Sequence, residues 1–408
     1  MANEAGGTDG GLKLFGPEML ADPYPVYHRL RATHPVFWVP ALDAWMVTSY
    51  EAVSAALRSP QLSSDRFRRA RERLAPKGLD VLVDDRVRSM IHMDPPDHTR
   101  LRGLVNKAFT PRAVDVMAER IQVIVDELLD AVQTRGRMDV IRDLAYPLPI
   151  MVIAEMLGVP PEDRDRFKQW SDEISVVLGG DVTALPEAVL RRVVEARNEL
   201  VGYFRAVVTR RRKEPGDDLL TALVRAEEED GGRLTEDELY STAVLLLIAG
   251  NETTTNLIGN GLLALLRHSD QQRRVWDDPA LVSPAVEEML RYDSPVQLTT
   301  RMAKVDLEMH GTKISQGQWI YLILAAANRD PAQFPEPDRF DVGRADNKHI
   351  AFGAGPHFCL GAPLARLEAQ VTFHALRRRF PGLRLGAENP EYRNNFNLRG
   401  LKALPVVF

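Results

Sequence analysis

The residue with the most specific chemistry in this sequence is Cys359, the only cysteine of the 408-residue chain. It lies in the stretch FGAGPHFCLG, residues 352–361. Gly353 and Gly355 permit the left-handed backbone conformations of a tight loop, and Gly361 lets a large flat group approach the backbone. The apolar segment that follows, with a proline near its start, predicts a helix, whose N-terminal N–H groups would favour a thiolate. A lone thiolate cannot complete a closed zinc site, but it can be the axial ligand of a haem iron.

A second chemical group lies within a long predicted helix. Gly250 and the three consecutive threonines that begin at Thr253 are poor helix formers. The Thr253 hydroxyl can bond the carbonyl of Ala249, four residues earlier, and such a bond bends a helix and can open a groove. Glu252 adds a carboxyl group beside this groove, so an acid and an alcohol are available to transfer protons. From these residues alone, a helix distortion without a catalytic role is an equally good interpretation.

The cysteine motif resembles that of a known family. The pattern F-x-x-G-x-x-x-C-x-G, which begins at Phe352, is similar to the motif of the cytochrome P-450 family, and specifically of its soluble bacterial branch. The resemblance covers nearly the whole chain. It implies a mainly α fold with a minor β part, the triangular prism of this family, with haem b between the Thr253 helix and the Cys359 helix. The implied enzyme is a haem-thiolate monooxygenase that inserts one oxygen atom from O2 into a small molecule.

The same resemblance implies which residues hold the haem. Cys359 is the axial ligand, and Glu252 with Thr253 supplies protons during oxygen activation. Buried propionates need hydrogen-bond donors, although any one donor alone is as well explained as a surface residue. The four implied propionate donors are His98, Arg102, Arg301 and His357. Further implied haem contacts are Ala249, Phe352, Gly353 and Gly361.

An acidic and a basic residue, Glu288 and Arg291, lie three positions apart on one face of a predicted helix. Such a pair is usually a surface ion pair of little energetic importance. The resemblance implies instead a buried ion pair, completed by Arg339, that supports the segment leading to the cysteine loop.

Mostly apolar residues are predicted to line the substrate pocket, so we expect a lipophilic small molecule and a hydroxylation of specialised metabolism. The resemblance assigns these residues to a loop at 82–90, a lid near 177–178 that ends at the break 179–181, the Thr253 helix and two later segments. The implied contacts are Leu82, Val83, Val87, Val177, Leu178, Leu245, Ile248, Ala249, Val296, Leu298 and Phe396.

Hydrophobic periodicity predicts the main elements. Short apolar segments at 36–39 and 44–47 predict a small β-sheet. Neither a repeat nor a long linker divides the chain, so we expect one catalytic domain over residues 1–408, with residues 1–11 disordered. The residues at 235–238 form a capping box that begins the longest predicted helix. The predicted helices span 23–33, 51–58, 114–132, 144–157, 163–178, 187–211 and 235–267.

Composition restricts the compartment and the partners. The 52 basic and 57 acidic residues leave a net charge of −5, which gives no sign of nucleic-acid binding. A single cysteine suits a reducing cytoplasm, and residues 1–11 lack the apolar core of a signal or membrane anchor. Because no flavin or iron–sulfur module is recognisable, we expect electrons from NAD(P)H to arrive through a separate ferredoxin reductase and ferredoxin. A monomer is expected.

Clusters of basic residues are candidates for contacts with partners. The arginine-rich segment 66–73 is expected to be a solvated face, with contact to an anionic substrate or carrier as the alternative. An acidic ferredoxin is expected to bind a basic surface on the cysteine side. The predicted surface consists of Arg100, Lys107, Arg112, Lys348 and Arg366.

Two other functions remain open. A peroxygenase of the same fold, driven by hydrogen peroxide, is expected to lack the Glu252–Thr253 pair, which is present here. A haem-binding sensor or carrier would have no use for a proton-transfer pair, and no attached signalling or DNA-binding segment is recognisable. Both functions are therefore less favoured than a monooxygenase.

Overall fold

The computed structural model describes residues 16–66, 68, 71–72, 75, 89–176, 185–229, 235–387 and 389–408 of the chain. The predicted disordered residues 1–11 and the predicted break at 179–181 lie outside this part. The same is true of five predicted substrate contacts, Leu82, Val83, Val87, Val177 and Leu178.

Helices dominate the described part of the chain, which confirms the predicted mainly α class. Each of the seven helices with predicted bounds begins within three residues of its predicted start. Their bounds are α1 Pro17–Ala21, α2 Tyr24–Thr33, α3 Tyr50–Arg58, α4 Asp97–Ala108, α5 Pro111–Gln133, α6 Pro147–Met156, α7 Arg164–Ser175, α8 Glu187–Lys213, α9 Leu219–Glu229, α10 Glu236–Arg267, α11 Ser269–Asp277, α12 Val282–Tyr292, α13 Leu324–Ala327 and α14 Ala362–Arg379.

Short strands make up the minor β part. Their bounds are β1 Val36–Val39, β2 Ala44–Val47, β3 Leu62–Ser63, β4 Arg137–Asp139, β5 Thr299–Ala303, β6 Leu307–Met309, β7 Thr312–Ile314, β8 Trp319–Leu322, β9 Arg384–Leu385 and β10 Pro405–Val407. The largest sheet among the described residues has the order β1-β2-β8-β5-β3, and only its β2–β8 pair is parallel. The predicted strands at 36–39 and 44–47 are therefore confirmed as neighbours in one sheet.

The longest described helix, α10, begins at the predicted capping box. The Glu238 N–H donates to Thr235 Oγ1 at 3.2 Å, and the Thr235 N–H donates to Glu238 Oε2 at 2.9 Å. These two bonds satisfy N–H groups that a helix start leaves unpaired. The helix has 32 residues and packs against α6, α8, α12 and α14. It therefore runs through the core as a central support.

Two local features depart from the sequence prediction. Residues 144–157 were expected to form one helix, but residues Ile141–Ala145 form a π-helical turn before α6 begins at Pro147. The strand β4 lies within a region that reads as helical and pairs with β10 at the other end of the chain. Such long-range pairing leaves no local pattern. None of the helices in the described ranges has the length and apolar character needed to cross a membrane.

A buried ion pair supports the segment between α13 and the cysteine loop. Glu288 and Arg291 are both 0% exposed and share two hydrogen bonds of 2.7 and 2.8 Å. The third member of this cluster is Arg344, whose Nε donates to Glu288 at 3.1 Å. The prediction that Arg339 completes the pair is wrong, because its exposed side chain bonds Glu336 instead. Only the carbonyl group of Arg339 takes part, as an acceptor for Arg291 and Arg344.

Substitutions distinguish the side-chain role of Arg344 from the backbone role of Arg339. Glu288→Ala should lower the free energy of unfolding by about 3–5 kcal/mol, because two buried guanidinium groups lose their shared counter-charge. Arg344→Ala should cost about 1.5–3 kcal/mol, the contribution of hydrogen bonds to a charged group. Arg339→Ala, the matched control, should cost about 1 kcal/mol or less, as for other exposed ion pairs. Urea unfolding of the purified variants measures these losses. Equal losses for Arg344→Ala and Arg339→Ala would contradict the assignment.

Candidate functional site

The loop that carries Cys359 has the predicted tight geometry. Gly353 and Gly355 have φ values of 72° and 71°, a region that residues with side chains rarely adopt. A Cβ atom at Gly355 would lie 2.7 Å from the carbonyl oxygen of Leu57, so only glycine fits there. The Cys359 N–H donates to the Phe352 carbonyl at 3.0 Å and closes the loop. The sulfur is therefore held at the start of α14.

Opposing influences act on the Cys359 thiol. Burial raises its pKa, although hydrogen bonds from the backbone of Gly361 and Ala362 and the charges of Arg102 and Arg366 lower it. The backbone N–H groups at the start of α14 therefore act in the predicted direction, but burial outweighs them and the net shift of the pKa is upward. Burial disfavours a charged sulfur more than these groups favour it. A metal cation bound at the sulfur would reverse this balance, since coordination deprotonates a thiol.

One face of α10 opens where the sequence predicts a groove. The Thr253 hydroxyl donates to the Ala249 carbonyl at 2.8 Å, which is the predicted back-bond. Ala249 is exposed and Leu245 and Thr253 are half-buried, although most of this helix is buried. These three residues lie four apart and share a face. A Cβ atom at Gly250 would meet nothing within 4 Å. The distorted turn therefore borders open space.

Glu252 is buried, at 8% exposure, beside this face. Burial raises the pKa of its carboxyl group, the charge of Asp172 raises it further, and the charge of Arg393 lowers it. The Arg393 Nη1 atom lies 3.6 Å from Glu252 Oε1. Asp172 is exposed on α7 and accepts a hydrogen bond from the Tyr146 hydroxyl. The carboxyl group is thus within reach of a cation and of a second acid.

Hydrogen-bond donors gather where the resemblance implies the propionates. His98 is 2% exposed, and neither of its ring nitrogens has a hydrogen-bond partner. Its ring centroid lies 4.0 Å from that of His357. Burial lowers the pKa of both imidazoles, that of His357 to about 3, so both rings are neutral donors at neutral pH. Arg301 is 5% exposed, and burial lowers its pKa to about 10.

Arg102 lies one turn after His98 on α4 and reaches the cysteine loop. Its Nη2 donates to the Phe358 carbonyl at 2.8 Å, and its Nε donates to Asn106 at 3.1 Å. Asp94 is the acid whose charge raises the pKa of His98, His357 and Arg301. Buried donors that outnumber the nearby acids require an anionic ligand. The donor set therefore fits a ligand with two carboxylates, as haem has.

The described substrate contacts fall into two groups. Leu245 and Ile248 lie on α10, next to the open face at Ala249. Leu298 and Phe396 pack in one hydrophobic cluster around Tyr24, Tyr27 and Ile323. Val296 pairs through its backbone with Leu398 and so lies near the second group. The structure thus brings together residues that are about 100 positions apart in the chain.

Sequence reasoning missed several residues of this region. Arg393 and Asp172 lie 141 and 80 positions from Glu252, so no spacing pattern could connect them. The sequence predicts Arg339 as the partner of Glu288, but the residue that pairs with it is Arg344, five residues later. Proximity in space identifies all three residues, and that proximity follows from tertiary packing.

Comparisons with known proteins agree with this geometry. The chain matches the family model described as Cytochrome P450 over residues 23–278 and 280–399. It is 45% identical over 394 residues to 6-deoxyerythronolide B hydroxylase of Saccharopolyspora erythraea, covering 94% of this chain and 96% of that protein. It is 44% identical over 399 residues to vitamin D(3) 25-hydroxylase of Pseudonocardia autotrophica, covering 97% of this chain and 96% of that protein.

Solved structures extend the comparison to the fold. The crystal structure of the myxobacterial cytochrome P450 CYP267B1 in complex with myristic acid aligns with a TM-score of 0.88 and 42% sequence identity. The alignment covers 97% of this chain and 98% of that chain. The family model, the relatives and the fold all indicate the same family. The chain therefore belongs to the cytochrome P-450 family and is a haem-thiolate monooxygenase.

Proposed function

We propose that the protein inserts one oxygen atom from O2 into a lipophilic small molecule, as a hydroxylation, while the other atom leaves as water. The observation that carries this proposal is the distorted turn of α10. There the Thr253 hydroxyl bonds the Ala249 carbonyl beside the buried carboxyl group of Glu252. Activation of O2 requires protons that arrive by a controlled route, and an acid–alcohol pair next to open space is suited to supply them.

Haem b is the proposed cofactor, with Cys359 as its axial ligand. When bound, the haem supplies the redox chemistry that activates O2, and a thiolate ligand favours O–O cleavage. Buried nitrogens without partners, such as those of His98, support carboxylate binding at this site. The proposed propionate donors are His98, Arg102, Arg301 and His357. The proposed ring contacts are Ala249, Phe352, Gly353 and Gly361.

Glu252 and Thr253 are proposed to hold and transfer the protons. Burial raises the pKa of Glu252, so its carboxyl group holds a proton more readily than an exposed acid does. Arg393 favours the ionised form, so the two states are drawn closer in free energy. A group in this position can release a proton and regain it. The single O–H of Thr253 donates to the Ala249 carbonyl, so its oxygen can accept a hydrogen bond and position the group that carries the proton.

The substrate is proposed to be lipophilic because the described contacts are apolar. Leu245, Ile248, Val296, Leu298 and Phe396 offer no charged group to a ligand. The curated relatives reported above are named as hydroxylases, which supports hydroxylation as the reaction. Neither a peroxide-driven enzyme nor a carrier explains the Glu252–Thr253 pair. A screen for compounds that shift the haem spectrum from low to high spin identifies candidate substrates.

Thr253→Ala tests the proposed reaction. Electron transfer and O2 binding do not need the Thr253 hydroxyl, so consumption of reduced cofactor should continue at a comparable rate. Product formed per electron pair should fall and hydrogen peroxide should rise, because the group that carries the proton loses the hydroxyl oxygen that positions it. Glu252→Gln should instead slow the whole cycle, within the range of about 10²–10⁴-fold for general acid–base catalysis. Thr253→Ser keeps the hydroxyl and is the matched control. Full coupling in Thr253→Ala would remove this residue from the mechanism.

Arg393→Gln tests the electrostatic control of Glu252. Arg393 lowers the pKa of this carboxyl group, so its removal should raise that pKa and enlarge the protonated fraction at neutral pH. The infrared carboxyl band that disappears on Glu252→Gln reports the titration directly. Its midpoint should move to higher pH in Arg393→Gln and should stay near the wild-type value in Arg393→Lys. An unchanged midpoint in Arg393→Gln would show that this ion pair is not maintained.

Electrons are proposed to come from NAD(P)H through a ferredoxin reductase and an acidic ferredoxin. Three of the five basic residues expected to bind it are already paired with acids. Arg100 pairs with Glu238, and Arg366 forms two hydrogen bonds of 2.7 and 2.8 Å with Glu287. Paired charges attract a partner weakly. Lys348 lies 3.9 Å from Asp346. The two remaining members, Lys107 and Arg112, are exposed at neighbouring ends of α4 and α5.

Charge reversal tests this surface. Lys107→Glu combined with Arg112→Glu should slow reduction of the haem by ferredoxin at low ionic strength, because electrostatic attraction speeds association. The difference should shrink as salt rises, and spectral binding of substrate should be unchanged. Lys213→Glu, at the exposed end of α8, is the matched control. Identical reduction rates for wild type and the double variant at low salt would exclude this surface.

A further inference from the structure

The arginine-rich segment at 66–73 is not uniformly solvated. Arg68 fits that prediction, since its side chain is 61% exposed and pairs with Glu72. Arg66 does not, because its Nε atom is buried and has no hydrogen-bond partner. Burial lowers the pKa of its guanidinium group to about 10, which leaves the group charged at neutral pH. A buried cation without a bonded partner at Nε calls for an anion.

The sheet register brings Arg66 to the propionate donors. Strand β3 pairs with β5 so that Ser63 lies opposite Met302, one residue after Arg301. The next N–H, that of Ser64, donates to Asp94 at 2.8 Å, four residues before His98. The chain that leaves β3 is thereby held between β5 and the start of α4. Arg66 follows two residues later.

Electrostatic coupling agrees with this position. The charge of Arg66 lowers the pKa of both Arg301 and His357. Asp94 is the acid that acts on these two groups in the opposite direction. Two buried guanidinium groups near one carboxylate repel each other, and a ligand with two negative charges would offset that repulsion.

We infer that Arg66 is a further haem-binding residue, which donates to a propionate beside Arg301. The charges balance in this arrangement. Two propionates carry two negative charges. Arg66, Arg102 and Arg301 carry three positive charges, one of which the nearby Asp94 offsets, while His98 and His357 are neutral donors. Arg102 already donates to the Phe358 carbonyl, at the cysteine loop. The inference depends on haem binding, which family membership establishes, and not on the proposed substrate.

Arg66→Ala tests the inference without a substrate. Transfer of haem from the purified holoprotein to an excess of apomyoglobin should be about 10- to 100-fold faster than from wild type, as expected for loss of one hydrogen bond to a charged group. The reduction potential measured by spectroelectrochemistry should fall, because a positive charge near the haem favours the reduced form. Arg66→Lys should restore much of both properties, and Arg66→Gln should restore only part of the haem retention. These two milder variants carry the test if Arg66→Ala accumulates poorly.

Arg68→Ala is the matched control, with the same substitution two residues away on an exposed side chain, and it should behave as wild type. If Arg66 does not bind the haem, Arg66→Ala should give a different result in these measurements. Removal of a buried cation that repels Arg301 would then stabilise the holoprotein against urea and leave haem transfer and potential unchanged. That result for Arg66→Ala would overturn the inference.

Discussion

The position of the cysteine loop depends on the hydrogen bonds that the buried carboxylate of Glu288 accepts. This carboxylate accepts hydrogen bonds from two arginines and from the N–H of Asp341, at 2.9 Å. Arg291 also donates to the carbonyl of Asn328, whose side chain accepts from the N–H of Ile350, two residues before the loop. The charge on α12 is thus connected to the loop by direct hydrogen bonds. Other positions of this segment are unfavourable, because each of them would leave a guanidinium group without its carboxylate partner.

Two groups of residues in the candidate site need ligands of opposite charge. Around His98 the buried groups are cationic or neutral donors that require an anion. Around Cys359 burial raises the pKa of the thiol, and the ionised sulfur requires a cation. A haem carries both, with its propionates at one edge and its iron at the centre. One bound haem would therefore satisfy two groups of residues that would each be unfavourable alone.

Glu252, the proposed proton donor, is also subject to opposing electrostatic influences. Its burial and the nearby Asp172 favour the protonated form, whereas Arg393 favours the ionised form. The three residues belong to α10, α7 and the C-terminal segment, so the proton affinity of one side chain depends on the packing of three separate parts of the chain. The hydrogen bond of 3.1 Å from Asn251 to Ser171 holds α10 and α7 together at this point.

The sequence by itself determined those features that follow from local chemistry. Glycines that need positive φ, a capping box at Thr235 and a hydroxyl four residues after a carbonyl each act within one turn or loop, so their spacing is sufficient. Tertiary structure decided the partners. Arg344 instead of Arg339 pairs with Glu288, and Arg66 lies close enough to Arg301 for its charge to lower the pKa of that residue. Electrostatic energies depend on distance in space and on burial, and neither quantity is encoded in the separation of residues along the chain.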